Sequence, residues 1–201
     1  MNQTEKKEIL IVVLEEFADW EMSYVAAFLN NTDKYITKIV SVSEGVIKSI
    51  GGLNVLPDYT LKSIPEIFYG LILIGGNSWR KPLNNNVIPI MEKALTMDIP
   101  LGAICDATVF MGANGWLNEI KHTSNDLNDL KTYAKDHYRN EMNYVLEQAV
   151  TDGKIVTANG TASLEFAKEI LELLEAYPKE HINQLYNFHK LGYYEAEKTN
   201  S

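Results

Sequence analysis

Short runs of apolar, often β-branched residues recur along the chain and predict buried strands. The clearest is Ile9–Leu14, and 71–74 and 101–105 repeat the pattern. Uninterrupted apolar runs of this length are typical of strands that are covered on both faces in a parallel sheet. The predicted strands are 9–14, a second strand with Ile36, Val40 and Val42 on one side, 71–74 and 101–105.

Apolar residues at helical spacing follow these strands and predict helices between them. Asn30 and Asn31, Gly115 and Pro178 are helix-stop residues at the ends of three of these segments. The predicted helices are 19–31, 87–97, one that follows Cys105 and ends at Gly115, 163–177, and one more helix in 179–201 that frays after Gly192.

Two further segments predict antiparallel pairs. Val46–Leu56 reads as a hairpin that turns at Gly51-Gly52, and Tyr144–Val150 and Lys154–Thr157 flank the turn residues 151–153. The repeated strand–turn–helix order predicts an α/β fold with an open, mostly parallel sheet and helices on both faces. We expect one domain over 1–178 and a C-terminal helical tail over 179–201 that packs on it.

Composition and charge narrow the classes of protein. In 201 residues, 46% are apolar and 22% charged, which is near the globular average. The net charge of −9 repels phosphate backbones and anionic membranes, so we expect no nucleic-acid or membrane partner. The first apolar run is too short for a signal sequence or a membrane span, which predicts a cytoplasmic protein.

The single cysteine, Cys105, excludes an intramolecular disulfide and, with four scattered histidines, a thiolate zinc site. The chain also lacks the motifs GxxxxGK[ST], GxGxxG and HExxH and a helix-turn-helix segment. We therefore expect neither a metal nor a cofactor.

Cys105 lies where a buried strand ends and a helix begins, which is where open α/β sheets place their ligand sites. A thiolate at a helix N-terminus is stabilised by the first N–H groups, so the pKa of the thiol is expected to fall. This position predicts a nucleophile elbow. The alternative is that Cys105 is simply a small buried apolar residue.

Two more features point to the same edge of the sheet. Gly75 and Gly76 follow strand 71–74, where backbone N–H groups can approach a ligand and form an oxyanion hole, although the pair also suits a simple turn. Glu21 falls on the apolar face of the first helix, and burial there is expected to raise its pKa. A protonated Glu21 can hydrogen-bond a thiolate or relay a proton. The alternative is an acid that complements the helix dipole.

Together the motifs resemble the ThiJ/PfpI family, also called the DJ-one family, within the class I glutamine amidotransferase-like superfamily. They are FADWE (17–21), LILIGG (71–76), GAICDATVFMGANGWL (102–117), HTSN (122–125) and DGKIVTANGTASLEFA (152–167). The resemblance runs from about Ile9 to Leu174. It implies a flavodoxin-like three-layer α/β/α sandwich, usually a homodimer, with a reactive elbow cysteine at Cys105 and a glutamate beside it at Glu21.

The chain departs from the family at the positions of its histidines. Relatives of the intracellular peptidase type carry His directly after the cysteine, where this chain has Asp106, and in the DJ-one branch a His stands where this chain has Asn125. His122 is a candidate to line the same pocket, with an ordinary surface histidine as the alternative. Peptide hydrolysis and amidotransferase chemistry are therefore disfavoured, because no triad histidine is evident.

The first functional hypothesis is an enzyme that acts on a small carbonyl-like substrate. Cys105 is its nucleophile, Glu21 its acid, and the N–H groups of Gly76 and Asp106 are its oxyanion donors. The resemblance offers glyoxalase, deglycase and isonitrile-hydrating precedents for such an enzyme, and a cysteine peptidase is a weaker option. A second hypothesis is a redox-responsive stress protein that acts through oxidation of Cys105 without turnover. A third is a catalytically silent member of the family.

Overall fold

A seven-stranded sheet with helices on both faces organises the chain in the computed structural model, which describes residues 5–199. The strands are β1 (Lys7–Val12), β2 (Tyr35–Ser41), β3 (Ile47–Lys48), β4 (Asn54–Val55), β5 (Tyr59–Thr60), β6 (Gly70–Leu73), β7 (Leu101–Ile104), β8 (Ala149–Asp152) and β9 (Ile155–Ala158). The helices are α1 (Asp19–Asn30), α2 (Ile88–Thr96), α3 (Asp106–Ala113), α4 (Leu127–Ala134), α5 (Ser163–Leu173), α6 (Lys179–Leu191) and α7 (Tyr193–Thr199). The described residues also form three 3-10 helices, Pro82–Val87, Lys135–His137 and Glu141–Asn143.

The strand order is β5-β2-β1-β6-β7-β9-β8, and only β8 runs antiparallel to its neighbour. Strands β3 and β4 form a separate antiparallel hairpin, as the Gly51-Gly52 turn predicted. The predicted α/β fold with a mostly parallel sheet is therefore confirmed.

The alternation of side chains along β1 explains the two layers of helices. Ile9 and Ile11 enter one apolar cluster with residues of α1, α5 and α6, whereas Leu10 and Val12 enter a second cluster with residues of α2, α3 and α4. All four side chains are completely buried. Burying an aliphatic side chain of this size contributes about 1.5–3 kcal/mol, so each face of β1 helps to hold one layer of helices on the sheet.

Parallel pairing brings the carboxyl ends of β6, β7 and β9 to one edge of the sheet. Leu73 pairs with Ala103, and Ile104 pairs with Ala158, so the three strands end almost level. The segments that follow them therefore meet, and they carry the candidate site.

Several predicted boundaries are wrong. β8 begins at Ala149 rather than at residue 144, and α5 ends at Leu173 rather than at residue 177. The expected fraying after Gly192 is also wrong, because Gly192 has a φ of 83° and the chain resumes as α7. The patterns in the sequence did not predict α4 or the two-residue strand β5.

The C-terminal segment packs on the protein's own helices. Ile182 of α6 is buried in the apolar cluster that contains α1 and α5, and the ring of His189 contacts the rings of Tyr24 and Phe28 on α1. No helix in the described part of the chain is long and apolar enough to cross a membrane.

Candidate active site

Cys105 occupies a sharp turn between β7 and α3. Its backbone has φ 60° and ψ −131°, a left-handed conformation that a residue with a side chain adopts at a cost of about 1–3 kcal/mol. The Cys105 N–H donates to the Ala158 carbonyl (2.9 Å), and the Cys105 carbonyl accepts from the Thr108 N–H (3.0 Å) and hydroxyl (2.6 Å). These bonds hold the strained turn, which gives the chain the predicted elbow.

Glu21, in the first turn of α1, brings a completely buried carboxyl to the elbow. Its Oε2 accepts a hydrogen bond from the Gly75 N–H (2.8 Å). Its Oε1 has no well-aligned donor among the described residues, and the side chain with which the carboxyl interacts is the Cys105 thiol. A buried carboxyl oxygen without a donor is costly when charged, so the protonated form of Glu21 is favoured at this position.

Two donors approach the Cys105 sulfur from other segments. Asn125 Nδ2 donates to Cys105 Sγ (3.2 Å), while its Oδ1 accepts from the Gly160 N–H (2.7 Å), which fixes the orientation of the amide. The Asp106 N–H, in the first turn of α3, also interacts with the sulfur. Both donors favour the thiolate over the thiol.

Cys105 and Glu21 titrate as a coupled pair. Burial raises the pKa of Glu21 to about 7. Burial and the negative charge of Glu21 raise the pKa of the Cys105 thiol to about 11, against the lowering by Asn125 and by the Asp106 N–H. The expectation that the pKa of Cys105 falls is therefore wrong while Glu21 is ionised. Between these two values the pair carries one negative charge.

Two glycines let the backbone approach the pair closely. A Cβ on Gly75 would lie 2.5 Å from the Cys105 Cβ and 2.6 Å from Glu21 Oε2. A Cβ on Gly160 would lie 2.9 Å from Cys105 Sγ and 3.1 Å from Glu21 Oε1. Side chains at these two positions would fill the space that the reacting groups occupy.

Of the predicted oxyanion and pocket residues, Gly75 lies against the pair but gives its N–H to Glu21. Gly76 is bridged to Phe17, and among the hydrogen bonds of residues 5–199 its own N–H has no acceptor. Asn125 and Asp106 both reach Cys105, as described above. His122 was a candidate to line the pocket, with a surface histidine as the alternative, and the structure places its side chain in the core instead.

His122 is a core residue. Its side chain is completely buried, with Nε2 2.8 Å from the Tyr138 hydroxyl and Nδ1 2.8 Å from the Ile120 carbonyl. Both ring nitrogens are thus engaged away from Cys105. Burial lowers the pKa of His122 and so favours the neutral imidazole. The strand-end position of His122 did not reveal which way its side chain points.

Sequence reasoning missed Arg80. Its guanidinium makes hydrogen bonds to both oxygens of Asp106 (Nε, 3.0 and 3.1 Å) and to both oxygens of Asp129 (Nη1, 3.0 Å; Nη2, 2.6 Å). The two carboxylates raise the pKa of Arg80 further, and Arg80 lowers that of Asp129. The sequence held a signal for the helix that carries Asp129, because Asp126 is an N-cap residue for α4 and accepts a hydrogen bond from the Asp129 N–H (2.8 Å).

Trp20 of α1 also contacts the segment that approaches the pair and was missed as a site residue. Its indole N–H donates to the Gly160 carbonyl (3.2 Å), and its side chain is 47% exposed. It was missed as a site residue because Gly160, which follows β9 in the ANGT segment, was not singled out. The signal that could have identified Gly160 is its place after β9, because β9 ends at the same edge of the sheet as β6 and β7.

Among the described residues, no group of three or more His, Cys, Asp or Glu side chains is arranged to hold a metal ion. The carboxylates of Asp106 and Asp129 instead enclose the Arg80 cation.

Comparison with known proteins identifies similar chains along nearly the whole length. The model of the DJ-1/PfpI family matches residues 7–173. The proteins named "Uncharacterized protease YdeA" and "Uncharacterized protease YoaZ" of Bacillus subtilis are 36% and 33% identical to this chain. The matches cover 94% and 92% of this chain and 93% and 91% of those proteins.

Solved structures agree with these matches. A thiJ/pfpI family protein from Bacillus anthracis superposes with a TM-score of 0.86 at 31% identity, over 92% of this chain and 91% of that one. The DJ-1 superfamily protein Atu0886 from Agrobacterium tumefaciens has a TM-score of 0.83 at 32% identity, over 90% and 97% of the two chains. The elbow therefore lies on a fold that similar proteins share.

Proposed function

Because the chain belongs to the DJ-1/PfpI family, we propose that it is an enzyme in which the Cys105 thiolate attacks small electrophilic substrates. The reaction is of the glyoxalase, deglycase, hydratase or hydrolase type. The observation that carries this proposal is the convergence of the Cys105 thiol, the buried Glu21 carboxyl and the Asn125 amide at a strained elbow. Strain of this kind persists where the surrounding structure enforces it, which is common at sites of chemistry.

The first step is a proton exchange within the pair. With one negative charge shared, the Cys105 proton moves to Glu21, and the thiolate that remains is held by the Asn125 amide and the Asp106 N–H. This arrangement supplies a nucleophile at neutral pH without a histidine base, because a neutral Glu21 no longer opposes the charge on sulfur.

Bond formation then follows at an aldehyde or ketone carbon. The thiolate forms the C–S bond while the C=O π electrons move to oxygen, and Glu21 returns its proton to that oxygen to give a hemithioacetal. The Gly76 and Asp106 N–H groups are the proposed donors to the developing oxyanion. Support for Gly76 is that its N–H has no acceptor among the described residues.

Hydrolysis of unactivated peptide bonds is a weaker candidate, although two relatives carry the word protease in their names. Expulsion of an amine needs a proton donor at the leaving nitrogen, and histidine is the common one. His122 faces Tyr138, and Asp106 is held by Arg80. Glu21 would have to serve both the thiol and the leaving group.

The test is turnover of methylglyoxal, a small reactive dicarbonyl, by the native protein and by Cys105→Ala. The proposal expects catalytic loss of methylglyoxal that falls to the uncatalysed rate in Cys105→Ala. A Thr108→Ser variant is the control, because it keeps the hydroxyl that binds the Cys105 carbonyl and should keep most of the activity. Equal turnover by native protein and Cys105→Ala would contradict the proposal.

A redox role for Cys105 is the second candidate. The two donors at the sulfur would also serve a sulfinate, which forms when a thiolate takes one oxygen atom from each of two peroxide molecules and releases two waters. Selective gain of two oxygen atoms at Cys105 under mild peroxide, in a protein that turns over no electrophile, would favour this candidate over the enzyme.

A further inference from the structure

Arg80 joins three segments that carry the groups around Cys105. Arg80 itself lies in the segment that follows Gly75 and Gly76, Asp106 opens α3 directly after the elbow, and Asp129 lies in the first turn of α4, four residues after Asn125. Each segment thus contributes one site group and one member of the ion-pair cluster. The cluster is formed by Arg80, Asp106 and Asp129.

The Arg80 guanidinium binds both carboxylates of the cluster in a fixed orientation. Nε and Nη2 of Arg80 contact Asp106, and Nη1 and Nη2 contact Asp129, so all three guanidinium nitrogens are engaged. The guanidinium also lies 5.0 Å from the centre of the Tyr133 ring on α4. Bidentate arginine–carboxylate pairs restrict orientation as well as distance. A free anion would have to displace a carboxylate, so anion binding is not the role of Arg80.

The cluster also determines the net charge near Cys105 and Glu21. The charged and titratable groups that act on Cys105 and Glu21 are each other and the Asp106 carboxylate, which opposes ionisation of Glu21. Arg80 offsets part of the Asp106 charge, and with Asp129 on its other side the cluster carries one net negative charge. Removing the guanidinium would leave two uncompensated carboxylates at the elbow.

We propose that Arg80 is a positioning residue for Cys105. By binding Asp106 and Asp129 it holds the elbow, the segment after β6 and the segment before α4 in fixed relative positions, and it offsets part of the Asp106 charge beside the reacting pair. This inference rests on the proposed function of Cys105. It assigns Asp106, which stands where related peptidases carry a histidine, a structural partner in place of a proton-transfer role.

The test is the pH profile of Cys105 alkylation by iodoacetamide, a neutral probe, in native protein, Arg80→Gln and Arg80→Lys. Arg80→Gln is expected to move the first inflection upward by about half a pH unit, the effect of one extra charge several ångströms away in a solvated setting. Its plateau rate is also expected to fall. Arg80→Lys keeps the charge and loses the bidentate contacts, so its inflection stays near the native value while its plateau falls.

Two further variants separate the contributions. Arg80→Gln combined with Asp106→Asn removes the uncompensated carboxylate, and its inflection is expected to return toward the native value. Lys154→Gln is the matched control, because it removes another partly exposed cation from an ion pair, with Asp98, at the opposite ends of the strands. It should change neither the inflection nor the plateau.

Native inflection and plateau values in Arg80→Gln would overturn the proposal. If a thermal melt shows Arg80→Gln unfolded at the assay temperature, the double variant decides, and a native plateau there would also overturn it. Absence of the inflection near pH 7 from the native protein would instead contradict the proposed function. An inflection that Arg80→Gln leaves unmoved contradicts the role of Arg80 alone.

Discussion

At the scale of single residues, the buried Glu21 carboxyl links chemistry to stability. Oε2 accepts a hydrogen bond from the Gly75 N–H, whereas Oε1 has no hydrogen-bond partner among the described residues, and the side chain that interacts with the carboxyl is the Cys105 thiol. The sequence predicted Cys105, Glu21 and Asn125 as neighbours through the elbow position and the family resemblance. The direction of the thiol pKa was not predictable, because it depends on which of two coupled acids ionises first.

Glu21 is expected to make stability depend on pH. Its pKa rises from 4.5 to about 7 on folding, so the folded state favours the protonated form and loses stability as the pH rises through this window. The full shift corresponds to about 3 kcal/mol. Native protein is therefore expected to lose about 2–3 kcal/mol of unfolding free energy relative to Glu21→Gln between pH 5 and pH 8.

Urea unfolding of both proteins at the two pH values measures this difference, and the titration of groups outside the Cys105–Glu21 pair cancels in the comparison. The control is Glu15→Gln, which replaces an exposed carboxyl in the segment between β1 and α1 and should show no such change. A difference between native and Glu21→Gln that is independent of pH would show that Glu21 ionises normally in the folded protein.

At the scale of elements, three parallel strand ends make the site. β6 and β7 were predicted from their apolar runs and β9 from the turn at 151–153, and the segments after these strands supply Gly75, Cys105 and Gly160. Helix α4 was missed because it is short and has two buried positions, Leu130 and Ala134, among its eight residues. Asp129, in the first turn of α4, was missed with it.

Gly160→Ala tests whether the end of β9 has to approach the pair. The added Cβ would lie 2.9 Å from Cys105 Sγ, so the side chains of the pair would have to shift. We expect alkylation of Cys105 to slow by about tenfold, with an unfolding free energy lower by about 1–3 kcal/mol, as for other overpacked sites. Gly45→Ala, whose Cβ would meet only the Ser43 hydroxyl at 3.6 Å, is the control. Native alkylation rates in Gly160→Ala would refute the close approach.

At the scale of the whole molecule, the layers followed from the sequence while some boundaries did not. Alternate residues of β1 face the two helical layers, and the same alternation is visible in the run Ile9–Leu14. Residues 138–148 lack regular strand structure although the pattern extended a strand to 144, and Leu146 is almost fully exposed there. Apolar residues in an exposed loop look like strand residues until their environment is known.

The homodimer implied by the resemblance stays a prediction. The β3–β4 hairpin and its flanking residues expose four apolar side chains, Val46, Ile50, Leu53 and Leu56. Three of these side chains are more than half exposed. Light scattering at micromolar concentration is expected to give twice the mass of one chain. A concentration-independent mass of a single chain would contradict it.

The central claim is that Cys105 and Glu21 share one negative charge at neutral pH, and the pH profile of Cys105 alkylation tests it most directly. The thiolate with a neutral Glu21 appears as the pair loses its first proton, so the rate in native protein should rise with an inflection near pH 7. In Glu21→Gln this inflection should vanish and leave one titration of the isolated thiol. A single inflection near 8.5, the value of a free thiol, in both proteins would contradict the account.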